Sequence, residues 1–153
     1  MGPSTTPDEA AAEAIDHLEA AINAHDLDAL VSCFDEAFVN DTPAHPDRSF
    51  SGASQVRENW ARIFASVPDL RARIVGRTVD GAAAWTEWDW TGTRRDGSSH
   101  HMRGVTITTV RRQAITGVRF YMEPVTDDGL GVGAAIDRAT GEVTDPPPSG
   151  SRA

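Results

Sequence analysis

The sequence predicts an α+β domain: a curved antiparallel sheet with helices on one face. Two observations carry this. Apolar residues recur at helical spacing up to Val67, and from Arg71 onward the period falls to two. Asp80-Gly81 and Arg95-Asp96-Gly97-Ser98 then divide the alternating runs into hairpin-joined strands. The length agrees: 153 residues make one domain, large enough to bury a core without disulfide or metal staples.

The elements follow in order. Residues 1–7 read as a disordered arm. Thr6-Pro7-Asp8-Glu9 opens a helix, with a cap, a proline at the first turn and acids at the positive dipole end. Ala11, Ile15, Leu18 and Ile22 form its apolar stripe, up to about Ala24. Asp26 begins a shorter helix carrying Leu27, Leu30, Val31 and Phe34, and Phe38–Asp41 reads as a short strand. Residues 42–54 read as a loop with Pro43, Pro46 and Gly52. Ser54 is the expected cap of a third helix, with Val56, Trp60, Ile63, Phe64 and Val67 on its stripe and Pro68 as its stop. Strands are expected over 71–79, 82–93, 103–112 and 115–125. Residues 8–125 form the domain, and 126–153 a flexible acidic Gly/Pro-rich tail with room for a short helix near Gly133–Ala139.

Composition narrows the function. Twenty-three acids against fourteen basic residues give a net charge of −9, which disfavours nucleic acid and anionic membrane as partners. The N-terminus lacks a basic stretch followed by an apolar run, so a cytoplasmic protein is the default. One cysteine, Cys33, rules out an internal disulfide framework and a Cys-rich zinc site. His17, His25 and His45 lack metal spacing, and His100 and His101 point to opposite strand faces, so no metal is expected. Neither a phosphate-binding glycine motif nor a serine nucleophile elbow is present.

Three of the four tryptophans crowd into residues 85–90. Alternation places Trp85, Glu87, Asp89 and Thr91 on one strand face, and Ala84, Thr86, Trp88 and Trp90 on the other. If the acidic face is solvated, Trp88 and Trp90 pack on the helices. If it lines a pocket, two neighbouring carboxylates repel, at least one pKa rises, and acid–base chemistry becomes available. The last strand repeats the pattern: Arg119, Tyr121 and Glu123 lie on one face, and Val118, Phe120, Met122 and Pro124 on the other. Asp41, ending the first short strand, is either a further pocket acid or a loop cap before Pro43.

The stretches "AIDHLEAAINAHDLDALVSCF", "FSGASQVRENWARIF", "WTEWDWTGT" and "RGVTITTVRRQAITGVRFYMEP" resemble the nuclear transport factor 2-like superfamily, in its SnoaL-like and ketosteroid-isomerase-like branch. The resemblance covers roughly residues 8–125. It implies a cone-shaped α+β barrel, with the N-terminal helices packed on the curved sheet and an apolar pocket enclosed. It turns Glu87, Asp89 and Trp85 inward, and sends Trp88 and Trp90 to a convex face through which a homodimer would form. The alternative is that the C-terminal tail covers those two indoles.

Carried over by position, Asp89 and Glu123 match the two acids of the epoxide-hydrolase pattern, while Glu87 replaces the arginine between them. The cyclase acid also falls on Glu123. The isomerase base has Asp41 as its nearest match, and the isomerase tyrosine of the first helix has no counterpart. The implied activity is a cofactor-independent cyclase, isomerase or epoxide hydrolase acting on a hydrophobic metabolite with a carbonyl or epoxide. Asp89, Glu123 and Glu87 would be catalytic, and Tyr121, Arg119, Asp41, Trp85 and Trp60 would bind substrate. The alternative is a non-catalytic ligand-binding or dimerisation module of the same fold.

Overall fold

The computed structural model describes residues 4–141. The expectations for residues 1–3 of the arm and 142–153 of the tail lie outside the described residues.

Helix α1 (Pro7–Ala24) starts in a capping box. The Glu9 N–H donates to Thr6 Oγ1, and the Thr6 N–H donates to Glu9 Oε2. It ends at His25, whose left-handed φ of 52° turns the chain into α2 (Leu27–Ser32). Asp26 caps α2 by accepting from the Ala29 N–H at 3.0 Å. Strand β1 (Phe34–Asp41) begins four residues earlier than the pattern indicates. The expected loop then contains a 3-10 turn at Pro46–Arg48 and the two-residue strand β2 (Phe50–Ser51). Helix α3 (Ala53–Ser66) is capped by Gly52 at φ 93°, not by Ser54, because that backbone conformation suits only glycine. Pro68 follows its end, as expected.

Strands β3 (Arg71–Asp80), β4 (Ala83–Thr93), β5 (Ser99–Arg111) and β6 (Ala114–Pro124) form an antiparallel meander. Helix α4 (Val132–Thr140) stands beyond them with no buried residue.

The six strands form one sheet in the order β2-β1-β6-β5-β4-β3. Two expectations are corrected here. The sheet is mixed, because β1 runs parallel to β6, with Asn40 beside Val118 and Asp41 beside Arg119. It is also open: β2 and β3 are its edges and do not pair, so it does not close into a barrel.

The physical reason lies on α1. Asn23 Nδ2 donates to the Ala72 carbonyl at 2.9 Å, and Asn23 Oδ1 accepts from the Ala72 N–H at 2.8 Å. The Ile74 N–H donates to Glu19 Oε2 at 2.9 Å. Helix side chains thus occupy backbone groups of β3 that barrel closure would give to another strand.

Helix α1 lies across β3, β4 and β5, and α3 lies against β1 and α2. The core between helices and sheet contains Ala11, Ile15, Ile22, Leu30, Val56, Leu70, Trp88 and Ile115.

Candidate functional site

Alternation on β4 resolves in favour of the tryptophans. Ala84, Thr86, Trp88 and Trp90 turn toward the helices, and Trp88 is only 1% exposed. Thr106 and Thr108 on β5 and Val118, Phe120 and Met122 on β6 share that inner face. Burying an indole removes roughly 150–250 Å² from water, whereas burying Glu87 and Asp89 would desolvate two charges. The heavier apolar set therefore faces in.

Between these residues and α1 and α3 lies a chamber of about 80 Å³, walled by Phe34, Phe38, Phe50, Trp60, Trp88, Trp90 and Phe120. The rings pack tilted or edge-on. Trp60 and Trp90 centroids lie 5.3 Å apart, Trp88 and Trp90 6.2 Å, and Trp90 and Phe120 6.5 Å. Trp88 is locked by its indole N–H, which donates to Thr106 Oγ1 at 3.0 Å. Polar character comes from Asn40, Asn59, Thr106 and Thr108. Asn40 is buried and donates through Nδ2 to Thr42 Oγ1 at 2.9 Å.

A second, more open chamber of about 290 Å³ shares Asn40, Phe50, Asn59, Trp60, Trp90 and Phe120 with the first. His45, Arg48, Ile63 and Met102 are among its further walls. Among the described residues, no aspartate or glutamate lines either chamber.

The sequence-derived candidates are distributed differently from the expectation. Of the eight, Trp60 alone lines the chambers. Trp85 is half exposed on the opposite, outer face of the sheet, and the expectation that it, Glu87 and Asp89 face a pocket is corrected. Asp89 is held there by two arginines and a histidine. His101 Nε2 lies 2.8 Å from its Oδ1, Arg73 donates to its Oδ2 at 2.9 Å, and Arg103 stands at 3.9 Å. The His101 and Arg73 hydrogen bonds hold its carboxyl below the usual range, the reverse of what a buried general acid needs.

Glu87 is half exposed, 3.7 Å from Arg103. Arg119 lies over the Tyr121 ring, 5.7 Å from its centroid, and its Nε is 3.9 Å from Asp41. Asp41 is thus outside, and the neighbouring Asn40 takes the inner position on β1. Glu123, at the end of β6, meets His45 from the 42–49 loop, with Oε1 2.7 Å from Nε2. The proposed contact through Trp88 and Trp90 is likewise corrected, since both indoles are buried inside the protomer.

Asn40, Asn59, His45, Arg48, Trp88 and Trp90 line the cavity without having been singled out for it. One signal pointed to the tryptophans: across β4 and β6 the bulky apolar set is the one containing Trp88, Trp90, Phe120 and Met122. Cys33 closes α2, its Sγ donates to the Ala29 carbonyl, and burial pushes its thiol pKa up. Among the described residues, no group of three or more His, Cys, Asp or Glu is placed to hold a metal ion. No helix among them is long and apolar enough to cross a membrane.

Similarity to known proteins agrees with this architecture. The family model described as a SnoaL-like domain matches residues 14–118. A search of curated proteins finds no match. Among solved structures, an epoxide hydrolase of the LEH-like type from M. tuberculosis is 18% identical with a TM-score of 0.65, over 74% of this chain and 83% of that one. A proposed SnoaL-like polyketide cyclase from Jannaschia sp. CCS1 is 17% identical with a TM-score of 0.67, over 80% and 92%. IdmH from Streptomyces antibioticus, a proposed polyketide cyclase, is 19% identical with a TM-score of 0.65, over 74% and 91%. At such identities these structures share the fold with this chain, and activity does not follow from that. With the family model spanning most of the helix-and-sheet unit, the chain belongs to the SnoaL-like family.

Proposed function

We propose that the chain binds a compact, ring-bearing hydrophobic small molecule in the aromatic chamber. The observation that carries this is the wall itself: seven aromatic side chains with four neutral polar groups and no carboxylate. Such a site favours a ligand by shape and desolvation, with amides and hydroxyls fixing its orientation. Titration of ring compounds, read by thermal unfolding, tests it. A ligand at a hundredfold excess over its Kd adds about 2.7 kcal/mol, which is several degrees for a domain of this size. Val118→Phe adds bulk to the chamber wall and should weaken binding at least tenfold. Absence of binding to the wild type, or equal binding by Val118→Phe, rejects the reading.

A second reading keeps catalysis, moved from Asp89 to the rim. His45 and Glu123 form an imidazole–carboxylate pair beside the open chamber. That is a general-base arrangement, and the carbonyl- or epoxide-bearing substrates expected from the sequence remain its natural class. Turnover of such compounds should fall about 100-fold or more in both His45→Gln and Glu123→Gln. Turnover that survives both substitutions removes the pair from the chemistry.

The partner reading moves as well. We infer a homodimer through the outer sheet face, where half-exposed Trp85 neighbours Ile107 and Glu87 neighbours Val105, which in turn neighbours Tyr121. Arg103 and Arg119 beside Glu87 and Asp41 give that face both signs of charge, so two copies can meet there despite the acidic whole.

A further inference from the structure

We propose that the ligand is a ring-bearing monocarboxylate, held ring-inward with its carboxylate in the open chamber beside Arg48. This deepens the reading of the aromatic chamber as a binding site and rests on it. The chain carries a net charge of −9, yet among the described residues the ionisable side chains lining the two chambers are His45 and Arg48, both bases.

Arg48 is the uncommitted one of the two. Arg57, Arg73, Arg77, Arg103, Arg119 and Arg138 each face a carboxylate. Among the described residues, the Arg48 guanidinium has neither a carboxylate nor a hydrogen-bond acceptor in reach.

Its backbone is nonetheless fixed. The Arg48 N–H donates to the His45 carbonyl at 2.9 Å, and the His45 N–H to the Thr42 carbonyl at 2.9 Å. The Thr42 N–H donates to Ser49 Oγ at 3.0 Å. Pro43 and Pro46 stiffen the same loop. An exposed arginine on a preorganised turn, at the rim of an aromatic-walled chamber, suits a planar carboxylate.

The charge count sets the anion. His45 holds the Glu123 carboxylate at 2.7 Å, so that carboxylate is turned to the imidazole and not to Arg48. Arg48 remains as the cation without a carboxylate in reach. A monoanion matches that single guanidinium, whereas a phosphate dianion would bring a second negative charge close to Glu123. Asn40 and Asn59, shared by both chambers, lie where ring and carboxylate meet and supply neutral hydrogen bonds.

Calorimetric titration of the full chain with 3-phenylpropanoate, its neutral isostere 3-phenylpropanamide and 2-phenylethyl phosphate tests this. At 50 mM salt the acid should bind about fivefold or more tighter than the amide, and at 500 mM the lead should shrink toward parity. In Arg48→Gln acid and amide should bind alike, and Arg48→Lys should keep part of the preference. An acid no tighter than the amide, or a lead that persists in Arg48→Gln, overturns the proposal. A phosphate ester tighter than the acid overturns it in favour of a phosphate site. If neither the acid nor the amide binds the wild type, the aromatic-chamber reading fails and takes this one with it. Amide binding without an acid preference leaves the chamber reading standing and removes only this proposal.

Discussion

At the scale of single residues, Asp89 shows how environment decides role. Its hydrogen bonds to His101 and Arg73 favour the ionised form and depress its pKa. A carboxyl depressed in the folded state contributes stability above its unfolded pKa of about 3.9 and loses it as pH falls through the folded value. Asp89→Asn should therefore lower the melting temperature at neutral pH, and the gap to wild type should close on acidification below about pH 4. A gap that persists unchanged to pH 2 would mean the ion pairs contribute nothing. Which face Asp89 occupies was not legible from alternation, because period two divides a strand into two sets without saying which is inner. The acids suggested a catalytic pair, but the apolar bulk of Trp88, Trp90 and Phe120 outweighed them. The same ambiguity exchanged Asp41 for Asn40, since a shift of one residue moves a side chain through the sheet.

At the scale of elements, most local signals held, the cap expected at Ser54 being the exception. The capping box at Thr6 and Glu9, the Pro68 stop and the Asp80-Gly81 hairpin are chemistry written within a few residues. The parallel pairing of β1 with β6 joins segments from opposite ends of the domain, and two-residue β2 is too short to show any period. The β5–β6 turn carries local strain. Arg112 and Gln113 have φ of 50° and 63°, the mirror-image turn that two-residue hairpins favour, but without the asparagine and glycine that suit it. Arg112→Asn with Gln113→Gly should raise stability by about 1 kcal/mol, measured by denaturant titration. A loss would mean that the native side chains make contacts outweighing the backbone strain. Gly104 is the opposite case. A Cβ there would lie 2.7 Å from Met122 Cα and closer still to the Tyr121 carbonyl, so even alanine must push β5 away from β6.

At the scale of the whole molecule, one sheet serves two purposes through its two faces. The inner face and helices make the aromatic cavity; the outer face carries charge pairs around a half-exposed tryptophan. Trp85→Glu with Ile107→Glu should turn a dimer into a monomer in sedimentation velocity while leaving the helix-and-sheet circular dichroism unchanged. A wild type that sediments as a monomer at tens of micromolar sinks the outer-face interface. The four tryptophans also permit the most direct test of the central claim, because three line the cavity and Trp85 lies across the sheet from it. In a 15N spectrum of the indole N–H groups, with Trp85 assigned through Trp85→Phe, titration with 3-phenylpropanamide should shift the signals of Trp60, Trp88 and Trp90 and leave that of Trp85 in place. Movement of Trp85 alone, or of none of the four at saturating probe, would contradict the account.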